Sequence, residues 1–213
     1  MKTKNKVLRL VQLALLVALV VVLQMLGSFI KIGPLPMSFV LVPIVVGAFL
    51  LGWKEGALLG FVFGIITMLM GILGIDGFSL VLWQLHPLWF VVVCLLKAVA
   101  TGLGAGLIYK GLNKALGEKR IILTTVIASI SAPIINTGIF VLGMILFYFN
   151  DMGTVQMELA KMAGTELLVV TPALEFIFLG LAGFNFIGEF IVNLVVSPAI
   201  VRIVAVVSKK LSK

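Results

Sequence analysis

The sequence has few charged residues, one cysteine and one histidine, and each scarcity excludes a class of protein. Only 11% of the 213 residues are charged and 62% are hydrophobic, which leaves too little polar surface for a soluble globule. The lone Cys94 excludes a disulfide within the chain, and with the lone His86 it argues against a metal cluster. The composition therefore predicts an integral membrane protein with a single domain over residues 1–213.

The sequence also lacks the motifs that catalysis would require. It has no P-loop and no HExxH pattern, and no serine–histidine pair lies at depth in an apolar stretch. A formal net charge of +8 does not predict nucleic-acid binding, because the basic residues stand at the ends of apolar stretches. We therefore expect a protein that binds a ligand and is not an enzyme.

Six apolar stretches are predicted to be transmembrane helices. They cover about residues 7–29, 38–51, 56–73, 87–112, 121–149 and 184–207. The N-terminal stretch is too long for a signal-peptide core and has no small-residue cleavage site, so it is interpreted as a retained helix. Residues 150–183 form a long extracellular or interfacial connection, and Pro172 and Glu175 favour an interfacial or re-entrant segment over a seventh span at 167–181. The predicted fold is all-α, a bundle of six transmembrane helices.

The distribution of charge predicts the orientation of this bundle. With both termini in the cytoplasm, almost all basic residues fall on the inner side, as the positive-inside rule requires. These residues are Lys2, Lys4, Lys6, Arg9, Lys54, Lys110, Lys114, Lys119, Arg120, Arg202, Lys209, Lys210 and Lys213. The outer side then holds only Lys31 and Lys161 beside several acidic residues, namely Asp76, Asp151, Glu158, Glu166 and Glu175.

A short polar segment, residues 131–144, interrupts the fifth predicted span. It contains Pro133, Asn136, Thr137 and Gly138. An amide is costly in hydrocarbon unless it has a partner, so polar groups at this depth face protein, water or ligand. Asn136 and Thr137 are candidate ligand-binding residues, and a hydrogen bond from Asn136 to a neighbouring helix is the alternative.

Two ionisable residues lie within the predicted spans. Lys97 is ten residues beyond Pro87, so it lies roughly 15 Å below the outer end of its helix. Glu189 lies about one to two turns into the last span, and Asn193 follows it by one turn on the same face. A lysine at this depth needs a partner. Lys97 is predicted to bind an anionic group of a ligand, with Glu189 and Asn193 as hydrogen-bonding residues, or else to form a structural ion pair with Glu189.

The predicted outer loops contain residues suited to closing a pocket. The segment from residue 74 to Pro87 carries Trp83, Gln84 and His86, which are predicted substrate-binding residues. Trp83 also fits the role of an interfacial anchor. His86 fits a loop hydrogen bond better than a metal site, because no second histidine accompanies it.

The whole pattern resembles the substrate-binding S components of energy-coupling factor (ECF) vitamin transporters. Size, six predicted helices and basic cytoplasmic ends match, as does the motif Ala14-x-x-x-Ala18 in the first helix. The resemblance implies a prokaryotic plasma-membrane protein without a cofactor of its own. Its implied partners are a transmembrane coupling protein, which contacts Ala14 and Ala18, and two cytosolic ATPases that use ATP. It also implies that the domain topples in the membrane to release a vitamin captured from outside.

Within that family, residues 132–144 and 185–203 are most similar to the pantothenate-type subgroup. Pantothenate carries a carboxylate, an amide and two hydroxyls, which suits one cation and several amide or carboxyl partners. Riboflavin would require more aromatic stacking, and a thiamin-like cation would favour an acidic, aromatic cage. Other vitamins, including folate and pyridoxine, remain alternatives, as do a standalone secondary carrier and a structural membrane subunit.

Overall fold

The computed structural model describes residues 2–29, 31–32, 35–36, 39–117, 120–164 and 171–211. Apart from two antiparallel strands of two residues each, β1 (Lys31–Ile32) and β2 (Leu35–Pro36), every regular element is helical. The α-helices are α1 (Lys2–Phe29), α2 (Leu41–Leu50), α3 (Trp53–Ile72), α4 (Gly77–Leu85), α5 (Pro87–Leu116), α6 (Ile121–Phe147), α7 (Met152–Ala163), α8 (Ala173–Glu175) and α9 (Phe184–Leu211). A 3₁₀ turn (Phe149–Asp151) precedes α7, and a π-helical segment (Phe176–Gly183) joins α8 to α9.

The prediction of an all-helical membrane fold is confirmed, with five long apolar helices and one shorter one. The candidate spans are Lys6–Ser28, Trp53–Ile72, Pro87–Leu116, Ile121–Phe147 and Ala173–Arg202. The second predicted span, residues 38–51, corresponds to α2, which has only 10 residues. At 1.5 Å per residue, α2 is about 15 Å long, half the thickness of a hydrocarbon core.

The structure differs from the sequence prediction in two segments. Residues 77–85, predicted to be a loop, form α4, because the Asp76 carboxylate caps its first turn by accepting from the Ser79 backbone N–H at 3.2 Å. Helix α9 begins at residue 184 as predicted, but residues 173–183, predicted to belong to the connection, are helical as well. One candidate span therefore runs over Ala173–Arg202, with Pro172 before it and Glu175 in its first turn. Proline and an acidic residue favour a helix N-terminus, so they start this helix instead of interrupting it. Residues 165–170 of the predicted interfacial segment lie outside the described residues.

Helices α3 and α5 are antiparallel and make the closest contact of the bundle. Gly56 faces Gly102 and Gly60 faces Ala98, so that a Cβ atom built on Gly102 would lie 2.0 Å from the Gly56 carbonyl oxygen. On the other side of α5, α6 packs with Gly143 against Val93. Helix α9 packs on α6. The small residues therefore let α5 sit at the centre, between α3 and α6.

The two ends of the bundle differ in charge. At one end, Arg9 of α1 donates to the Leu51 carbonyl and pairs with Glu55 at the start of α3. Gly106 of α5 contacts Trp53, so the C-terminal part of α5 lies at this same end, and so does the start of α6, because α6 is antiparallel to α5. Most described basic residues lie at this end: Arg9, Lys54, Lys110, Lys114, Arg120 and Arg202. The acidic residues Asp76, Asp151, Glu158 and Glu175 lie on elements of the opposite end.

Candidate functional site

A cavity lies within the bundle, in the half away from the basic end. Its volume is about 70 Å³, whereas roughly 10–15 Å³ holds one water, so the cavity has room for several waters or a ligand group. Helix α5 forms its back wall, α3 and α4 form one side, and α6 and α9 the other. Its polar lining residues are Gln24, Thr67, Asp76, Ser79, Lys97, Asn136, Thr137, Tyr148, Asn185 and Glu189. Four predicted site residues are thus brought together: Lys97, Asn136, Thr137 and Glu189.

Among the described residues that line the cavity, Lys97 is the only basic one. Its side chain is half-buried, and Nζ lies 5.2 Å from the centroid of the Phe140 ring, which is a cation–π contact. The ion pairs of the described part of the chain lie elsewhere, and none of them joins Lys97 to Glu189. The structure therefore does not contain the alternative, a direct ion pair between Lys97 and Glu189. The N–H groups of Lys97 remain able to donate hydrogen bonds to a ligand.

Glu189 is the centre of a cluster of amides between α6 and α9. Its side chain is buried, with 1% exposed. Asn136 Nδ2 of α6 donates to Oε2 at 3.3 Å, and Asn185 Nδ2 of α9 donates to Oε1 at 3.3 Å. Asn193 Nδ2 donates to the Glu189 backbone carbonyl at 2.8 Å. The hydrogen bond of Asn136 to a neighbouring helix is thus present, but Asn136 also faces the cavity.

Several buried acceptor oxygens of the cavity have no hydrogen-bond partner among the described residues. They are Oδ1 of Asp76, Oδ1 of Asn136 and Oδ1 of Asn185. The other Asp76 oxygen is occupied, because Oδ2 accepts from the Ser79 backbone N–H and hydroxyl. Leaving a buried acceptor unpaired costs about 1–3 kcal/mol, so these oxygens favour water or a ligand that donates hydrogen bonds.

The remaining predicted site residues do not line the cavity. Asn193 is fully buried one turn beyond Glu189. Trp83 is half-buried and packs edge-on against the cavity-lining Phe90, with ring centroids 6.1 Å apart. Gln84 is exposed, and His86 Nε2 lies 2.9 Å from Asp151 Oδ2. Their predicted role in substrate binding stays a prediction.

The sequence interpretation missed six polar residues of the cavity: Gln24, Thr67, Asp76, Ser79, Tyr148 and Asn185. A signal existed for three of them. Asp76 and Ser79 have the spacing of a helix N-cap, which would have revealed α4. Asn185 precedes Glu189 by one helical turn, as Asn193 follows it by one turn. Gln24 and Thr67 sit alone in apolar stretches, and only packing brings them together, with Nε2 of Gln24 3.4 Å from Oγ1 of Thr67.

The predicted partner-contact residues lie on the outside of the bundle. Ala14 and Ala18 are both exposed on α1. Large apolar side chains surround them, including Leu10, Leu15 and Val22, which are 65%, 66% and 51% exposed. This face of α1 is not covered by the described part of the chain, so it is available to lipid or to another helix.

Comparisons with known proteins identify a matching family and a similar transporter. Residues 8–201 match the family described as "ECF transporter, substrate-specific component". A curated protein of Lactococcus lactis subsp. cremoris (strain MG1363), the pantothenic acid transporter PanT, is 25% identical over 156 residues. The aligned region covers 68% of this chain and 76% of that protein.

Proposed function

Because the chain belongs to the family of ECF transporter substrate-specific components, we propose that its cavity captures pantothenate from the extracellular side of the membrane. The chain is a multi-pass membrane protein of a prokaryotic family, and it is a transport subunit, not an enzyme. Members of this family bind no cofactor themselves. The identity of the ligand and the direction of capture are the proposed steps.

The observation that carries the ligand proposal is Lys97, a cation without an ion pair among the described residues, in a cavity that otherwise offers amides, hydroxyls and carboxylates. Pantothenate has one carboxylate for this ammonium group, and its two hydroxyls and amide N–H are donors for the unpaired acceptors. The similarity to the pantothenic acid transporter of Lactococcus lactis supports the same ligand.

The charge distribution supports an orientation with both termini in the cytoplasm. The basic end of the bundle would then face the cytoplasm, as in the positive-inside rule. The cavity lies toward the opposite end, beside Asp76 and Tyr148, so a ligand would reach it from outside.

Membership of the family implies partners of an ECF module. We propose that these are a transmembrane coupling protein, which docks on the face of α1 around Ala14 and Ala18, and two cytosolic ATPases. ATP hydrolysis in those subunits would drive the domain to topple and release its ligand inside. The exposed small residues of α1 support this docking face, because small side chains let helices approach closely.

The test of the ligand proposal is calorimetric titration of the purified protein in detergent. The panel is pantothenate, riboflavin, folate, biotin, thiamin and pyridoxine, without ATP or partners. We expect saturable binding of pantothenate alone. Binding of another vitamin would replace the proposed ligand, and transport in vesicles without an ATPase module would favour a standalone carrier. No binding by a folded protein would refute capture of any vitamin in the panel.

A further inference from the structure

The amides around Glu189 both turn their NH₂ groups to its side-chain oxygens. Asn136 and Asn185 each face one oxygen of the Glu189 carboxylate. An ionised carboxylate has no proton to donate, so each amide must present its NH₂ group to it. For an ionised Glu189, hydrogen-bond chemistry therefore selects the amide orientation that the contacts of Asn136 and Asn185 have.

This arrangement determines what the two amides present to the cavity. With Nδ2 turned to Glu189, the carbonyl oxygen Oδ1 of each amide points away from the carboxylate. Both oxygens are buried, both lack a partner among the described residues, and both residues line the cavity. Asn136 is only 4% exposed, so bulk water does not hydrate its oxygen freely. At these two amides, the wall formed by α6 and α9 thus offers acceptors.

We propose that Glu189 is a positioning residue, which holds Asn136 and Asn185 as a pair of acceptors that select ligands carrying hydrogen-bond donors. The inference rests on the proposed function only for the identity of the ligand. It changes the role expected for Glu189, whose two oxygens are each engaged by an amide and which acts on the ligand through them. A ligand with hydroxyl or N–H groups at this wall is favoured, and one with only acceptors or alkyl groups there is rejected.

The first test needs no ligand. Asn136→Asp replaces the donor by a negative charge beside Glu189, and we expect a clear drop in melting temperature in detergent. The double variant Asn136→Asp/Glu189→Gln exchanges the two groups and restores the hydrogen bond, so it should recover most of the loss. Asn150→Asp is the matched control, since it makes the same change at an exposed position. A stable Asn136→Asp protein, or a double variant no more stable than the single one, would overturn the proposal.

The second test measures selectivity. The probes are pantothenate and N-(3,3-dimethylbutanoyl)-β-alanine, which has hydrogen in place of both hydroxyls. We expect the wild type to bind pantothenate roughly 10- to 100-fold more tightly than the second probe. Glu189→Gln offers one acceptor and one donor, so one amide must turn over, and the ratio should fall several-fold. An unchanged ratio would contradict a positioning role.

The two tests separate this inference from the proposed function. If the wild type binds no pantothenate, the ligand proposal fails, while the stability cycle still decides how the amides are oriented. If pantothenate binds and both Glu189 tests fail, the ligand proposal stands and the positioning role is rejected.

Discussion

Removal of the Lys97 charge is the most direct test of how the cavity recognises an anion. We consider Lys97→Met, which keeps an unbranched side chain of similar length and removes the ammonium group. In the structure this group lies over the Phe140 ring and has no ion pair among the described residues. No ion pair of the described residues is broken by the substitution, so its main effect should be on the ligand.

The expected magnitude follows from the contact that is lost. A hydrogen bond to a charged group contributes about 1.5–3 kcal/mol, and each 1.4 kcal/mol is about tenfold in affinity. Pantothenate should therefore bind Lys97→Met about 10- to 150-fold more weakly. Panthenol, which has an alcohol in place of the carboxylate, should lose clearly less affinity than pantothenate, because its neutral hydroxyl has no charge for the ammonium group to attract.

The assay is calorimetric titration of both ligands with wild type, Lys97→Met and Lys110→Met. Lys110 is the matched control, because it is exposed on the same helix near the basic end. The effect of Lys97 should persist at physiological salt, since a half-buried charge is screened less than an exposed one. Equal losses for pantothenate and panthenol, or no loss for either, would refute a contact between Lys97 and the ligand carboxylate.

Three further predictions concern the rest of the bundle. Ala18→Trp should abolish uptake with the ECF module and leave ligand affinity unchanged, because Ala18 is on the exposed face of α1; unchanged uptake would count against docking there. Gly102→Ala should destabilise the protein by about 1–3 kcal/mol or more, because its Cβ would lie 2.0 Å from a backbone oxygen of α3. Gly111→Ala is the control and should be tolerated, because a Cβ there has no atom within 4 Å. Equal melting temperatures of the two variants would contradict this packing. A double-mutant cycle of His86→Ala and Asp151→Ala should give a coupling energy for protein stability of only about 0.2–1 kcal/mol, because both side chains are more than one-third exposed. A larger coupling energy would mean that the pair is less solvated than the structure indicates.

The sequence predicted the membrane class, and four of the residues that it singled out line the cavity. The predicted start of the fourth span at Pro87 is the observed first residue of α5, because proline fits the first helical turn. Lys97, Asn136 and Glu189 were singled out by their cost in hydrocarbon, and the structure brings all three to one cavity. Depth along a helix is readable from residue counts, so this part of the prediction needed no tertiary contacts.

Other parts depended on directions that the sequence does not specify. Asn193 shares a helix face with Glu189, yet it lies outside the cavity, since its amide donates to the Glu189 backbone. Asn185, one turn in the other direction, faces the cavity instead. Residues 173–183 were assigned to the connection, although they are helical, because Pro172 and Glu175 have the same identity whether they break a helix or begin one.

The sequence by itself determined that this chain is a helical membrane protein, because hydrophobic length and scarce charge are properties of each segment alone. It also singled out the family, through size, charge placement and small residues that are local patterns too. Only the tertiary structure decided which polar groups meet. The rotation and packing of α5, α6 and α9 against one another decide whether Lys97 faces Glu189 or Phe140. They also decide whether an amide presents its nitrogen or its oxygen to the cavity.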